Sequence, residues 1–145
     1  MLNYEILEKL TRTIGVSGEE DDVRSVILSE IEPYADEIHI SPLGNILAFK
    51  KGEKRPEKKL MLCAHMDEVG FLVTHIEEDG FLRVNQVGGV DRKLYASSCV
   101  TVHTASGPLS GVISSVPPHL RKEEKELPAS DEVAVDLGLS GERAR

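Results

Sequence analysis

The stretch that decides the fold is Leu60-Met61-Leu62-Cys63-Ala64-His65-Met66-Asp67-Glu68-Val69-Gly70. Its first five residues are continuously apolar, without the alternation of a half-exposed strand, and this predicts a strand covered on both faces by helices. The run ends at His65, so a histidine and two acids emerge at the carboxyl end of a buried strand, the edge at which open α/β sheets bind ligands. A neutral imidazole is a good ligand for Zn²⁺ or Co²⁺. Asp67, two residues on, is spaced to orient the ring through its second nitrogen. On His-x-Asp alone, a hydrogen-bonded core or rim histidine is the more economical reading.

Upstream, Ile6, Leu7, Leu10 and Ile14 recur at helical spacing, with Gly15 as a stop after about three turns. Ser17 and Glu20 fit a capping box, and Val23, Val26, Ile27 and Ile31 carry a second helix to Pro33. Glu37–Ile40 alternates, Pro42-Leu43-Gly44-Asn45 has turn chemistry, and Ile46–Phe49 is a short apolar run, which predicts a strand, a turn and a strand. Between Lys50 and Lys59 the chain is basic. With Gly52 and Pro56 inside it and no aromatic residue for stacking, this segment reads as a solvated connection rather than a nucleic-acid site.

Downstream the pattern changes to short β-type runs at Val69–Ile76, Phe81–Val87, Ser98–His103, Gly111–Val116 and Val133–Leu137. Hairpin signals sit at Glu78-Asp79-Gly80 and Ala105-Ser106-Gly107-Pro108. These predict a small β-barrel or sandwich. His39, His75 and His103 read as strand residues, and His119 as a loop residue. Arg121–Glu126 is a mixed charge run expected to be exposed.

Composition bounds the partners. The 145 residues are 40% hydrophobic and 29% charged, with 17 basic against 25 acidic side chains and a net charge of -8. Such a chain is repelled by polyanions. No stretch approaches the ~20 apolar residues of a membrane helix, and the N-terminus is unlike a secretory signal. The expectation is a cytoplasmic protein, with no nucleic acid and no membrane, in which Cys63 and Cys99 are reduced, packed thiols. Glycan hydrolysis by Asp67 and Glu68 is disfavoured, because adjacent acids on a strand point to opposite faces.

An ordered series of motifs runs through nearly the whole chain: Gly15-Val16-Ser17-Gly18-Glu19-Glu20, Pro42-Leu43-Gly44-Asn45, Ala64-His65-Met66-Asp67-Glu68-Val69-Gly70, Val87-Gly88-Gly89, Gly111-Val112-Ile113, Pro117-Pro118-His119-Leu120 and Val135-Asp136-Leu137-Gly138. In this series the chain resembles the N-terminal part of the glutamyl aminopeptidase family, metallopeptidases that include the tetrahedral aminopeptidases and were once described as cellulase M-like endoglucanases. The resemblance implies an α/β fold: residues 1–68 as the N-terminal part of an α/β/α catalytic domain, and 69–145 as an inserted, incomplete β-barrel association domain. It implies that His65 is the first protein ligand of a centre of two divalent metals, Zn or Co, and Asp67 the catalytic acid that orients it. The metals would activate a bridging water and polarise the scissile carbonyl of a peptide substrate, with a separate glutamate as general base. It further implies a homo-oligomer assembled through the β-rich domain.

The remaining ligands and the base belong to motifs that the family carries after the inserted domain, and none of these is in this sequence. The expectation is therefore a truncated aminopeptidase, inactive as the isolated chain. The alternative is a non-catalytic assembly or interaction module derived from such a peptidase.

Overall fold

A computed structural model describes residues 3–54, 57–114 and 132–144. The chain divides into two compact units, Met1–Glu68 and Val69–Arg145.

In the first unit, helix α1 (Tyr4–Arg12) begins at Asn3, whose side chain accepts from the backbone amides of Glu5 and Ile6 at 3.1 and 3.4 Å. It ends two residues earlier than the apolar spacing predicts. Thr13 is already extended, and its hydroxyl donates to the Lys9 carbonyl at 2.6 Å, so Ile14 lies outside the helix. Helix α2 (Asp21–Ile31) runs into a 3₁₀ turn, Glu32–Tyr34, where Pro33 sits in the first positions that tolerate it. Lys9 of α1 and Glu30 of α2 form an ion pair at 2.7 Å. Val23 is the one buried hydrophobic residue among those described in this unit, at 3% exposure.

The capping box at Ser17 and Glu20 does not form. Gly18 adopts a φ of 96° in a tight turn, closed by the Glu19 amide donating to the Val16 carbonyl at 2.8 Å, so the helix starts only after Glu20. The Glu20 carboxylate instead accepts from the Gly18 amide at 2.7 Å, and Ser17 is released to bond elsewhere.

Strands β1 (Glu37–Ile40) and β2 (Ile46–Phe49) pair antiparallel, Glu37 opposite Phe49 and Ile40 opposite Ile46. The Ser41 hydroxyl and the Ser41–Asn45 backbone close the turn between them. The described residues of the following basic connection are exposed.

The expected buried strand over Leu60–Ala64 is absent. Leu60, Met61 and Leu62 are 87%, 81% and 87% exposed and belong to no ladder. The physical reason is pairing: a strand buried on both faces needs hydrogen-bonded neighbours and covering helices. Among the described residues of this unit the one ladder is β1–β2, and residues 60–64 pair with neither of its strands. Cys63 is accordingly exposed, and so is Cys99 in the second unit; both thiols are free but neither is packed as expected.

The second unit is a five-stranded antiparallel sheet in the order β3-β4-β7-β6-β5: β3 (Gly70–Ile76), β4 (Leu82–Val87), β5 (Cys99–Thr104), β6 (Gly107–Ser114) and β7 (Ala134–Asp136). Two hairpins, β3–β4 and β5–β6, are joined by β7 between them. The register of β3 slips between Val73 and His75, and Thr74, the extra residue, donates its hydroxyl to the Arg83 carbonyl at 3.2 Å. Strand β6 begins four residues before the run that predicts it, because Gly107 and Pro108 pair with Thr104 and His103 rather than forming the loop.

Leu82, Val84, Tyr95, Ile113, Val133 and Val135 form the core, flanked by Phe71, Ile76 and Val100 among others. The rings of Phe71 and Tyr95 meet edge to face, with centroids 5.3 Å apart. A short helix α3 (Gly141–Ala144) follows β7. His39, His75 and His103 lie in β1, β3 and β5 as expected. His119, the charge run Arg121–Glu126 and the end of the run expected to reach Val116 lie outside the described residues. Among the described residues, no helix is long and apolar enough to cross a membrane.

Candidate functional site

The site is built where two distant pieces of the first unit meet. Residues 15–18 lie against residues 67–68: the Glu68 amide donates to the Gly15 carbonyl at 2.6 Å, and the Gly15 amide donates to the Glu68 carboxylate at 3.2 Å. Val16 and Glu68 form an isolated parallel bridge. The approach requires glycine at position 15. A Cβ there would stand 2.9 Å from Val23 Cγ1 and 3.4 Å from the Met66 carbonyl oxygen.

This pairing brings together the two residues singled out by the sequence and a third that was not. His65 Nδ1 lies 3.0 Å from the Asp67 carbonyl oxygen and 3.1 Å from Asp67 Oδ1. Both of those oxygens can only accept, so Nδ1 carries the proton. In the neutral ring the lone pair is then on Nε2, and the His65 side chain is 86% exposed, so this nitrogen is open to a ligand. On the far side of the carboxylate, the Ser17 hydroxyl donates to Asp67 Oδ2 at 2.5 Å. That bond is the main cause holding the Asp67 carboxyl below its ordinary range; its own backbone amide and His65 act the same way, against an opposing effect of burial.

Sequence reading assigned Ser17 to a helix cap and gave Glu68 no role beside Asp67. The signal that could have found them is that Gly15–Glu20 and Ala64–Gly70 are both motifs of the one ordered series.

As a metal centre the constellation is partial. His65 suits a single imidazole ligand oriented by a carboxylate. No group of three or more His, Cys, Asp or Glu side chains that could hold an ion is present among the described residues, and a closed or catalytic zinc site needs about three or four protein ligands.

Residues 44–145 match the model of the M42 glutamyl aminopeptidase family. The chain belongs to that family. Among curated M42-like relatives, it is 37% identical over 144 residues to the lysyl aminopeptidase of Pyrococcus furiosus, covering 97% of this chain and 41% of the relative. Among solved structures, a TET aminopeptidase from a marine-sediment thaumarchaeotal archaeon superposes with a TM-score of 0.88 at 34% identity, over 97% of this chain and 40% of the other. The Pyrococcus horikoshii TET1 peptidase, which can assemble into a tetrahedron or a large octahedral shell, gives 0.80 at 37% identity, over 97% and 42%. The chain thus spans about two-fifths of the length of these M42-type relatives.

Proposed function

We propose that this chain is the N-terminal portion of a metal-dependent aminopeptidase that removes N-terminal residues from peptides. Residues 1–68 contribute to an α/β/α catalytic domain. Residues 69–145 are the small β-barrel insertion through which copies associate; support for association itself is that the similar TET1 peptidase can assemble into a tetrahedron or a large octahedral shell. His65 serves as one ligand of a two-metal centre and Asp67 as the acid that orients it.

The observation that carries the site assignment is the pair of Asp67 oxygens 3.0 and 3.1 Å from His65 Nδ1. The two oxygens of Asp67 beside Nδ1 fix the proton there, which leaves His65 Nε2 as an exposed base of the kind a divalent cation takes. A pair of Zn²⁺ or Co²⁺ ions would supply a hydroxide-like nucleophile and polarise the scissile carbonyl. What this chain's own residues do is narrower: Asp67 holds the ring, Glu68 fastens the segment to Gly15, and His65 presents Nε2.

The test is turnover of aminoacyl p-nitroanilides. The polypeptide of the whole reading frame that contains this chain is expected to hydrolyse them, to lose activity with chelator and to regain it with Zn²⁺ or Co²⁺. The isolated 145-residue chain is expected to be inactive. Chelator-resistant hydrolysis by the whole polypeptide would count against the metal-dependent reading. A whole polypeptide that assembles but neither binds metal nor turns over would favour a non-catalytic assembly module.

A further inference from the structure

Ser17 is 50 residues from Asp67 in sequence, yet its hydroxyl makes the closest side-chain contact in the site. Three features hold it there. Gly18 turns the chain at a positive φ, the Glu68 amide anchors Gly15, and Val16 bridges to Glu68, so Ser17 follows directly after the paired residue. Its oxygen is not spent on the helix, which takes no side-chain cap.

The consequence lies in which oxygen of Asp67 is left. A carboxylate on a side chain 40% exposed can rotate toward water. With Oδ2 bound by Ser17, Oδ1 is the carboxylate oxygen that remains to face His65 Nδ1, beside the Asp67 main-chain carbonyl 3.0 Å from the same nitrogen. We infer that Ser17 is a positioning residue of the site: by holding Asp67 Oδ2, it keeps Oδ1 turned to His65 Nδ1 as a second acceptor beside the Asp67 main-chain carbonyl, and so strengthens the preference for a proton on Nδ1 and a lone pair on Nε2. It touches neither substrate nor metal, and acts through Asp67. The inference rests on the proposed role of the His65–Asp67 pair and names the residue that sets it.

The experiment reads the tautomer itself. Two-bond ¹H–¹⁵N correlation spectra of the ¹⁵N-labelled chain, recorded at about pH 8.5 so that imidazole is neutral, distinguish protonated from unprotonated ring nitrogens. The wild-type chain is expected to show His65 with Nδ1 protonated. Ser17→Ala is expected to shift the ratio of Nδ1–H to Nε2–H by about threefold toward Nε2–H, a fraction of the full preference because the Asp67 main-chain carbonyl still accepts from Nδ1. Ser17→Thr, which keeps the hydroxyl, is expected to restore the wild-type ratio, and an unchanged amide spectrum beyond residues 15–18 and 65–68 guards against misfolding.

An unchanged ratio in Ser17→Ala would overturn the inference, as would a wild-type ring protonated on Nε2. The metal content of the whole polypeptide that contains this chain separates it from the reading beneath it. If the ratio follows the hydroxyl but that polypeptide retains as much Zn²⁺ in His65→Ala as in the wild type, Ser17 positions the ring and the metal assignment of His65 fails.

Discussion

Substituting Gly15 by alanine tests the contact on which the site rests. The added Cβ would lie 2.9 Å from Val23 Cγ1 and 3.3 Å from Val23 Cβ, closer than such atoms pack. Neither side yields easily. Val23 is a β-branched residue inside α2, held to one preferred rotamer, and the Gly15 backbone is fixed by its two hydrogen bonds to Glu68. Overpacking of this kind costs about 1–3 kcal/mol, while the loss of glycine's freedom in the unfolded chain returns about 0.4–1 kcal/mol. The net destabilisation expected of Gly15→Ala is therefore about 1–2 kcal/mol.

A double-mutant cycle with Val23→Ala separates the clash from other effects. Val23→Ala alone is expected to destabilise by about 1–3 kcal/mol from lost burial. In the double mutant the clash has no partner, so the pair should be more stable than the sum of the singles by about 1 kcal/mol or more. Urea unfolding of the four chains measures this. Additivity within about 0.5 kcal/mol, the behaviour of independent sites, would refute the packing argument.

Other outcomes follow from the same geometry. Ile113, buried at the centre of the second unit, is expected to cost about 2–5 kcal/mol when cut to alanine, read as a lower urea midpoint. Glu30 raises the Lys9 pKa above its ordinary 10.5, chiefly by accepting its hydrogen bond. A raised folded-state value means the bridge between α1 and α2 contributes fully below pH 10.5 and is lost as the pH rises through the folded-state pKa. The alkaline fall in stability should therefore be shallower in Lys9→Met than in the parent; identical alkaline profiles would exclude the bridge as its cause.

How much could be read from the sequence depended on where each residue finds its partners. The hairpins β1–β2 and β3–β4 and the helix α2 were legible because alternation, turn residues and helical spacing are local. The run Leu60–Ala64 was misread because its strand reading presupposed neighbours on both edges, and composition cannot say whether they are there. Ser17 was assigned to the helix for a similar reason. Its spacing to Glu20 is local and fits a cap, whereas the competing acceptor, Asp67, lies across a turn that only Gly18's positive φ makes possible. His65 and Asp67 were legible as a pair because two residues of separation suffice to bring Nδ1 to the carboxylate.

The measurement that bears most directly on the central claim is the metal content of the whole polypeptide that contains this chain, determined after loading with Zn²⁺ or Co²⁺ and dialysis, for the wild type and for His65→Ala. If His65 Nε2 is a ligand of a two-metal centre, the wild type retains two ions per chain and His65→Ala retains fewer, with its fold intact by circular dichroism. Two ions per chain in both proteins would contradict the account.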